Sequence, residues 1–150
     1  MKLRSLIAII VICMPFYFSC APKGEETTEA APKQYELTDI EKSALAAAQK
    51  QLEGYNNRDI ELFLDAYADT VKVFRFPATL NYQGKDKMRE RYSAMFDRTP
   101  DLHCYIISEV VKGNMVIHEE RVLRNDPENL SHAVAIYVVD EGKITEVYFL

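Results

Sequence analysis

The chain of 150 residues has room for one domain, and its 48% apolar and 27% charged residues are a globular mixture, not that of a disordered or multi-span membrane chain. A formal net charge of −5 without a basic stripe argues against nucleic acid as a partner, since phosphate binding draws on clustered Lys and Arg. Trp is absent, but nine Tyr and seven Phe supply aromatic material for a core or a pocket.

Residues 1–20, MKLRSLIAIIVICMPFYFSC, run from Lys2 and Arg4 through the apolar stretch Leu6 to Met14 and end on Ser19 and Cys20. That order is the order of a secretory signal, and the run falls short of the roughly 20 apolar residues a spanning helix needs. The ending on Cys20 resembles a bacterial lipoprotein signal, in which the cysteine is lipidated and holds the protein to a membrane. Tyr17 and Phe18 are bulkier than that pattern's usual residues, and an ordinary cleaved signal or a retained anchor is the alternative. Residues 21–33, APKGEETTEAAPK, carry no large apolar side chain and read as a disordered tether. The expected division is a signal at 1–20, a tether at 21–33 and a domain at 34–150, lipid-anchored in the cell envelope and either periplasmic or surface-exposed. Removing Lys2 and Arg4 with the signal takes the formal net charge from −5 to −7. Cys13 falls in the signal and Cys20 at the lipidation position, which leaves Cys104 alone in the domain as a small buried apolar residue, with no disulfide framework.

The spacing Thr38 to Glu41 is that of a capping box, and Leu45, Ala48, Leu52 and Tyr55 follow at helical intervals, predicting a helix over 39–56 whose many alanines let it lie close to a sheet. Asn56 to Asp59 ends it and offers a new N-cap. Ile60, Phe63, Leu64 and Tyr67 then form the apolar side of a short second helix. Val71 to Phe76 reads as a strand stopped by Pro77, with a hairpin partner around Leu80 to Gln83, and Gly84-Lys85-Asp86 opens a third helix reaching Phe96. Four strands follow over 102–112, 115–124, 132–140 and 143–149, joined by Gly113-Asn114, by the loop 125–130 and by Glu141-Gly142. The fold class is α+β: three helices packed on a curved, mostly antiparallel sheet.

The phrases NNRDIELFLDAYADTV, VFRFP, GKDKMRERYSAMF followed by PDLH, GNMVIHEERV and AIYVVDEGKITEVYFL, in that order, resemble the nuclear transport factor 2-like superfamily, in particular its SnoaL-like and ketosteroid-isomerase-like bacterial members, over roughly residues 36–150. The resemblance implies a conical domain around a pocket open at one end, which takes a small apolar or aromatic molecule, and a homodimer through the outer sheet. It does not by itself give an activity. Ketosteroid isomerisation needs a carboxylate base and a tyrosine with a protonated acid. An approximate alignment sets Val73 at the base, Gln51 near the tyrosine and Ala135 near the acid, and none of these side chains can do that work.

The stretch VIHEERV, Val116 to Val122, carries the candidate chemistry. Strand period places His118 and Glu120 on one face and Glu119 and Arg121 on the other. A symmetric turn at Gly113-Asn114 sets Glu109 opposite His118 and Ile107 opposite Glu120, gathering Glu109, His118 and Glu120 as an acid/base set. Against this, Cys104, Ile106, Val110, Ile117 and Leu123 read as the core face, which would leave His118 and Glu120 facing water or a partner. Arg75 interrupts an aromatic strand and is a candidate for an anionic group, with a solvated edge or a salt bridge as the ordinary role of such an arginine. Tyr55, Tyr67, Tyr92 and Tyr137 are candidates for a pocket lining, with core packing as the default for each, and His103 for the same pocket. His103 and His132 could join His118 and Glu120 as metal ligands, but no His-x-x-x-His spacing supports a metal, and no cofactor motif, Gly-rich phosphate loop or nucleophile motif is visible. Two function classes stand: an envelope-tethered small-molecule-binding domain without the ketosteroid isomerase set, or a cofactor-free isomerase, cyclase or hydratase using His118 and Glu120. A protein-interaction module working through the sheet is the third.

Overall fold

The computed structural model of the protein describes residues 35–150. The signal, Cys20 and the tether expected from the sequence lie outside the described residues.

Helix α1 spans Asp39–Asn57 and starts on the expected capping box: the Thr38 hydroxyl accepts from the Glu41 amide and the Glu41 carboxylate accepts from the Thr38 amide. Its buried side is built from Ala44, Ala47, Ala48, Gln51 and Gly54. Gly54 is required by the next element, because a β-carbon there would fall onto the Phe63 backbone. Helix α2, Ile60–Asp65, is capped by Asp59, whose carboxylate accepts from the Glu61 and Leu62 amides.

Tyr67 does not continue α2 as its apolar spacing implied. It opens strand β1, Tyr67–Arg75, because the Ile144 amide donates to the Ala66 carbonyl and captures the chain as strand. Strand β2 is Thr79–Gln83 and helix α3 is Lys85–Arg98. Strands β3 (His103–Lys112), β4 (Met115–Leu123), β5 (Ser131–Asp140) and β6 (Lys143–Phe149) complete one six-stranded sheet in the order β2-β1-β6-β5-β4-β3. Every neighbouring pair is antiparallel except β1 with β6. Phe63, Leu64, Met88, Val116, Ile144 and Val147 lie in the core where the helices cover one face of this sheet.

Two features decide which face that is. The side chains of β4 alternate strictly, with Val116, His118, Glu120 and Val122 buried and the residues between them half-buried. A bulge in β3 shifts the register between Ile106 and Ser108, so Glu109 faces His118 as expected while Ile106, not Ile107, faces Glu120. The extra residue carries Cys104 and Ile106 onto the face that holds His118 and Glu120, and it bends the strand over the helices. The face expected to be core, with Ile117, Leu123 and Val110, is the outer one, and Val110 is exposed on it.

Glu41 joins α1 to the far end of the β3–β4 hairpin. Its carboxylate, only 2% exposed, accepts from the Tyr35 hydroxyl, the Thr38 amide and hydroxyl, and the Gly113 amide. These donors, with Tyr35 the largest contributor, hold its pKa down at about 2 against the pull of burial.

Candidate functional site

Between the helices and the inner face of the sheet lies a cavity of about 130 Å³. Leu52 and Tyr55 reach it from α1, Tyr92 and Met95 from α3, and Val122, Ala133 and Phe149 from the sheet. Its polar wall consists of Glu120, Cys104, Tyr137 and Gln51, and the exposed Arg124 stands at the rim.

The polar wall is ordered by a file of hydrogen bonds. Tyr67 donates to Gln51 Oε1 at 3.4 Å, Gln51 Nε2 donates to the Tyr137 oxygen at 3.1 Å, and the Tyr137 hydroxyl donates to Glu120 Oε1 at 3.1 Å. Because each tyrosine hydroxyl has a single hydrogen, the direction of the file is fixed once Gln51 presents its NH₂ to Tyr137. Glu120 is 6% exposed, and burial raises its pKa above the ordinary 4.5 despite the opposing bond from Tyr137, the Cys104 thiol and the charge of Arg124. Desolvation also pushes Tyr55 and Cys104 up to about 12, and Tyr67, Tyr92 and Tyr137 well above 10.0, so these groups are neutral near neutral pH. The cavity therefore holds one carboxyl that burial shifts toward its proton-bearing form, among phenols that keep their protons.

His118 stands behind this wall. It is 0% exposed and does not line the cavity. Nε2 lies 2.9 Å from Glu109 Oε2, and since an ionised carboxylate only accepts, Nε2 carries the hydrogen. Nδ1 lies 3.9 Å from Glu120 Oε1 and is buried without a hydrogen-bond partner. Burial lowers the His118 pKa below 6.5, outweighing the Glu109 contact, so the ring is neutral with a bare lone pair toward Glu120. The ring meets Tyr137 edge-on at 5.4 Å.

The structure thus brings together Glu109, His118 and Glu120, and it sets Tyr55, Tyr92 and Tyr137 around the cavity with Tyr67. It does not bring in Arg75, which is exposed at the end of β1, where the strand runs past the cavity. His103, at the start of β3, turns to Tyr105 with ring centroids 4.5 Å apart and does not line the cavity either. His132, weighed with His118 as a metal ligand, sits on the outer face, 3.0 Å from Glu119. Sequence reasoning passed over Arg124, although it continues the two-residue period of His118, Glu120 and Val122. Cys104 is buried in the core as expected, but on the face of His118 and Glu120 and not on the opposite one, because nothing in the sequence signals the bulge. Gln51, noted only as a residue unable to do a tyrosine's work, is the link between Tyr67 and Tyr137.

A family model described as SnoaL-like domain matches residues 48–147. The chain belongs to this SnoaL-like family. Among solved structures, an uncharacterised cystatin-fold protein from Novosphingobium aromaticivorans is 25% identical, with a TM-score of 0.64 over 71% of this chain and 97% of that one. A nuclear transport factor 2-like protein of unknown function from Cytophaga hutchinsonii superposes at a TM-score of 0.60 with 12% identity, covering 78% and 92% of the two chains. An LEH-like epoxide hydrolase from M. tuberculosis gives 0.60 at 18% identity, over 73% and 84%. No curated protein sequence matches significantly. The fold is nuclear transport factor 2-like. Within this SnoaL-like domain, Val73 and Ala135 are buried among apolar neighbours, and Gln51 is engaged with two tyrosines.

Proposed function

We propose that the protein is an envelope-tethered small-molecule-binding domain of the SnoaL-like type, taking a small apolar or aromatic molecule whose oxygen meets Glu120. The observation that carries this reading is the pairing of a ligand-sized hollow with one buried carboxyl biased toward its neutral form. A cavity of about 130 Å³ compares with the roughly 150 Å³ apolar cavity known to admit benzene, so a single ring is the fitting scale and a fused polycycle is too large without rearrangement. Glu120, when protonated, donates to the ligand, and the aromatic lining supplies the apolar contact. The apolar Val73 and Ala135 and the amide Gln51 argue against ketosteroid isomerisation. Lipidated Cys20 and the tether 21–33 would hold the domain off a membrane on the periplasmic or outer side.

The experiment is a titration of the full-length protein with benzene and with phenol, followed by chemical-shift changes. Both are expected to bind, phenol more tightly, and Glu120→Gln to narrow the difference. Ala133→Phe, which fills the cavity, should abolish binding while leaving the fold intact. Binding that survives Ala133→Phe, or no binding of either ring, contradicts the reading. For the tether, Cys20→Ser should move the protein from the membrane to the soluble fraction.

A second reading is favoured by the bare Nδ1 of His118 facing Glu120: a cofactor-free isomerase, cyclase or hydratase in which Glu120 exchanges the proton. A homodimer through the outer sheet is supported by the cross-strand apolar row Val110, Ile117, Ile136 and Tyr148, with Phe74 stacked on Tyr148 at 4.8 Å. Ile136→Glu is expected to turn a sedimenting dimer into a monomer. A monomeric wild type would contradict the dimer.

A further inference from the structure

We infer that Glu109, His118 and Glu120 form a proton path from solvent to the cavity that bypasses the cavity's own mouth. The inference rests on Glu120 being the cavity's acid, and it deepens that reading by assigning how the acid loses and regains its proton.

The need for such a path follows from size. A ring that fills about 130 Å³ leaves no room for water beside Glu120, so a proton given up there cannot return through an occupied mouth. The opposite side of Glu120 offers another way out. Glu120 Oε1 faces His118 Nδ1 at 3.9 Å, His118 Nε2 is bonded to Glu109 at 2.9 Å, and the Glu109 side chain is 34% exposed. One buried imidazole therefore stands between a carboxyl that meets the ligand and a carboxyl that meets water.

His118 Nδ1 is the buried side-chain N or O atom without a partner among the described residues, and a buried lone pair left unfilled costs stability. A closure of about 1 Å toward Glu120 would make it an acceptor, and such bonds are commonly long before a ligand arrives and tighten on binding. The other titratable and charged groups facing this pair come from every element around the cavity. They are Cys104 on β3, Tyr137 on β5, whose hydroxyl serves Glu120, Tyr55 on α1, Tyr67 on β1 and Tyr92 on α3, whose phenols share the cavity with Glu120, and Arg124 at the rim, while α1 also contributes the neutral Gln51 through Tyr137. Glu41 on α1 is committed to Tyr35, Thr38 and Gly113.

The proton count closes. In the outward pass the Glu120 O–H bond breaks as Nδ1–H forms, Nε2–H breaks as the Glu109 O–H forms, and Glu109 releases its proton to water. The ring is left with its hydrogen on Nδ1 and its lone pair toward Glu109. In the inward pass Glu109 takes a proton from water and gives it to Nε2 while Nδ1–H passes to Glu120, which restores the starting tautomer without a ring flip. One outward and one inward pass are what a site needs if it removes a proton from a ligand and later returns one.

The test reads the His118 ring by nitrogen-15 NMR of the full-length protein without ligand, so it stands apart from the ring-binding titrations. Wild type is expected to show the neutral Nε2–H tautomer, with the Nδ1 shift stepping as Glu120 titrates and that step lost in Glu120→Gln. Glu109→Gln is expected to slow exchange of the Nε2 hydrogen with water at least about tenfold, with rescue by Glu109→Asp. A purely structural bond predicts the reverse, since loosening it opens the ring to water. Exchange that is unchanged or faster in Glu109→Gln, or a flat Nδ1 shift through the Glu120 titration, overturns the path. Failure of benzene and phenol to bind, with these NMR results intact, would overturn the ligand and leave the path.

Discussion

Two buried glutamates of this domain have opposite fates. Glu41, where α1 meets the β3–β4 turn, is 2% exposed, and Glu120, in the cavity wall, is 6% exposed, so their solvent exposure is nearly the same, although Glu120 lies the deeper. Their surroundings differ. Glu41 accepts from a hydroxyl and an amide of Thr38, from the Tyr35 hydroxyl and from the Gly113 amide, and its pKa falls to about 2. Glu120 accepts from the Tyr137 hydroxyl beside a weakly donating thiol, and its pKa rises. The donors supplied, together with how deeply each carboxyl is set among other atoms, separate a structural anion from an available acid.

This contrast can be broken at either carboxyl. The largest effect is expected at Glu41, where Glu41→Gln removes an anion that several donors are built to receive; the melting temperature should fall by many degrees near neutral pH. The sign with pH follows from its depressed value. In wild type the Glu41 contribution is complete above the unfolded value of about 4.5 and is lost as pH falls toward about 2, so the variant's melting temperature should vary less than wild type's across that acid window.

Glu120→Gln should do the opposite. A raised folded pKa means that stability from this group is complete below about 4.5 and declines as pH rises through the folded value. The variant is therefore expected to melt a few degrees above wild type at about pH 8 and to match it near pH 4. Thermal melts of the two proteins at both pH values decide it, and equal melting temperatures at the higher value would show that Glu120 carries no penalty. Tyr137→Phe removes one donor from Glu120 and the acceptor of Gln51, and is expected to raise the Glu120 pKa further while destabilising the fold by about 1 kcal/mol in a denaturant titration. The smallest effect belongs to the outer face, where Glu119→Gln breaks the exposed pair with His132 and should change stability by about 0.5 kcal/mol or less.

The same comparison shows what could be read in the chain. Glu41 was legible because Thr38 stands three residues before it, and a capping box is a local pattern. The order of helices and strands was legible for the same reason: caps, Gly-Asn and Glu-Gly turns and periodicity are all short-range. The side of the sheet on which Glu120 lies was not, because both faces of β4 and β5 carry apolar residues. Ile117, Ile136 and Val138 on the outer face look as core-like as Val116, Ala135 and Val139 on the inner one. The bulge at Ile107 was also hidden, since it answers to the curvature of the whole sheet, and with it went Cys104 as a neighbour of Glu120. Tyr67 was drawn into a helix by its spacing, although pairing with β6 sets its conformation. Long-range pairing accounts for each miss.

The central claim is that the cavity carboxyl keeps its proton where an ordinary glutamate would lose it. The direct measurement is a pH titration of the Glu120 side-chain carboxyl carbon by carbon-13 NMR, with Glu41 as the internal reference. The account predicts a Glu120 midpoint above 4.5 and a Glu41 midpoint well below it. A Glu120 midpoint at or below 4.5 would make it one more buried anion and contradict the account.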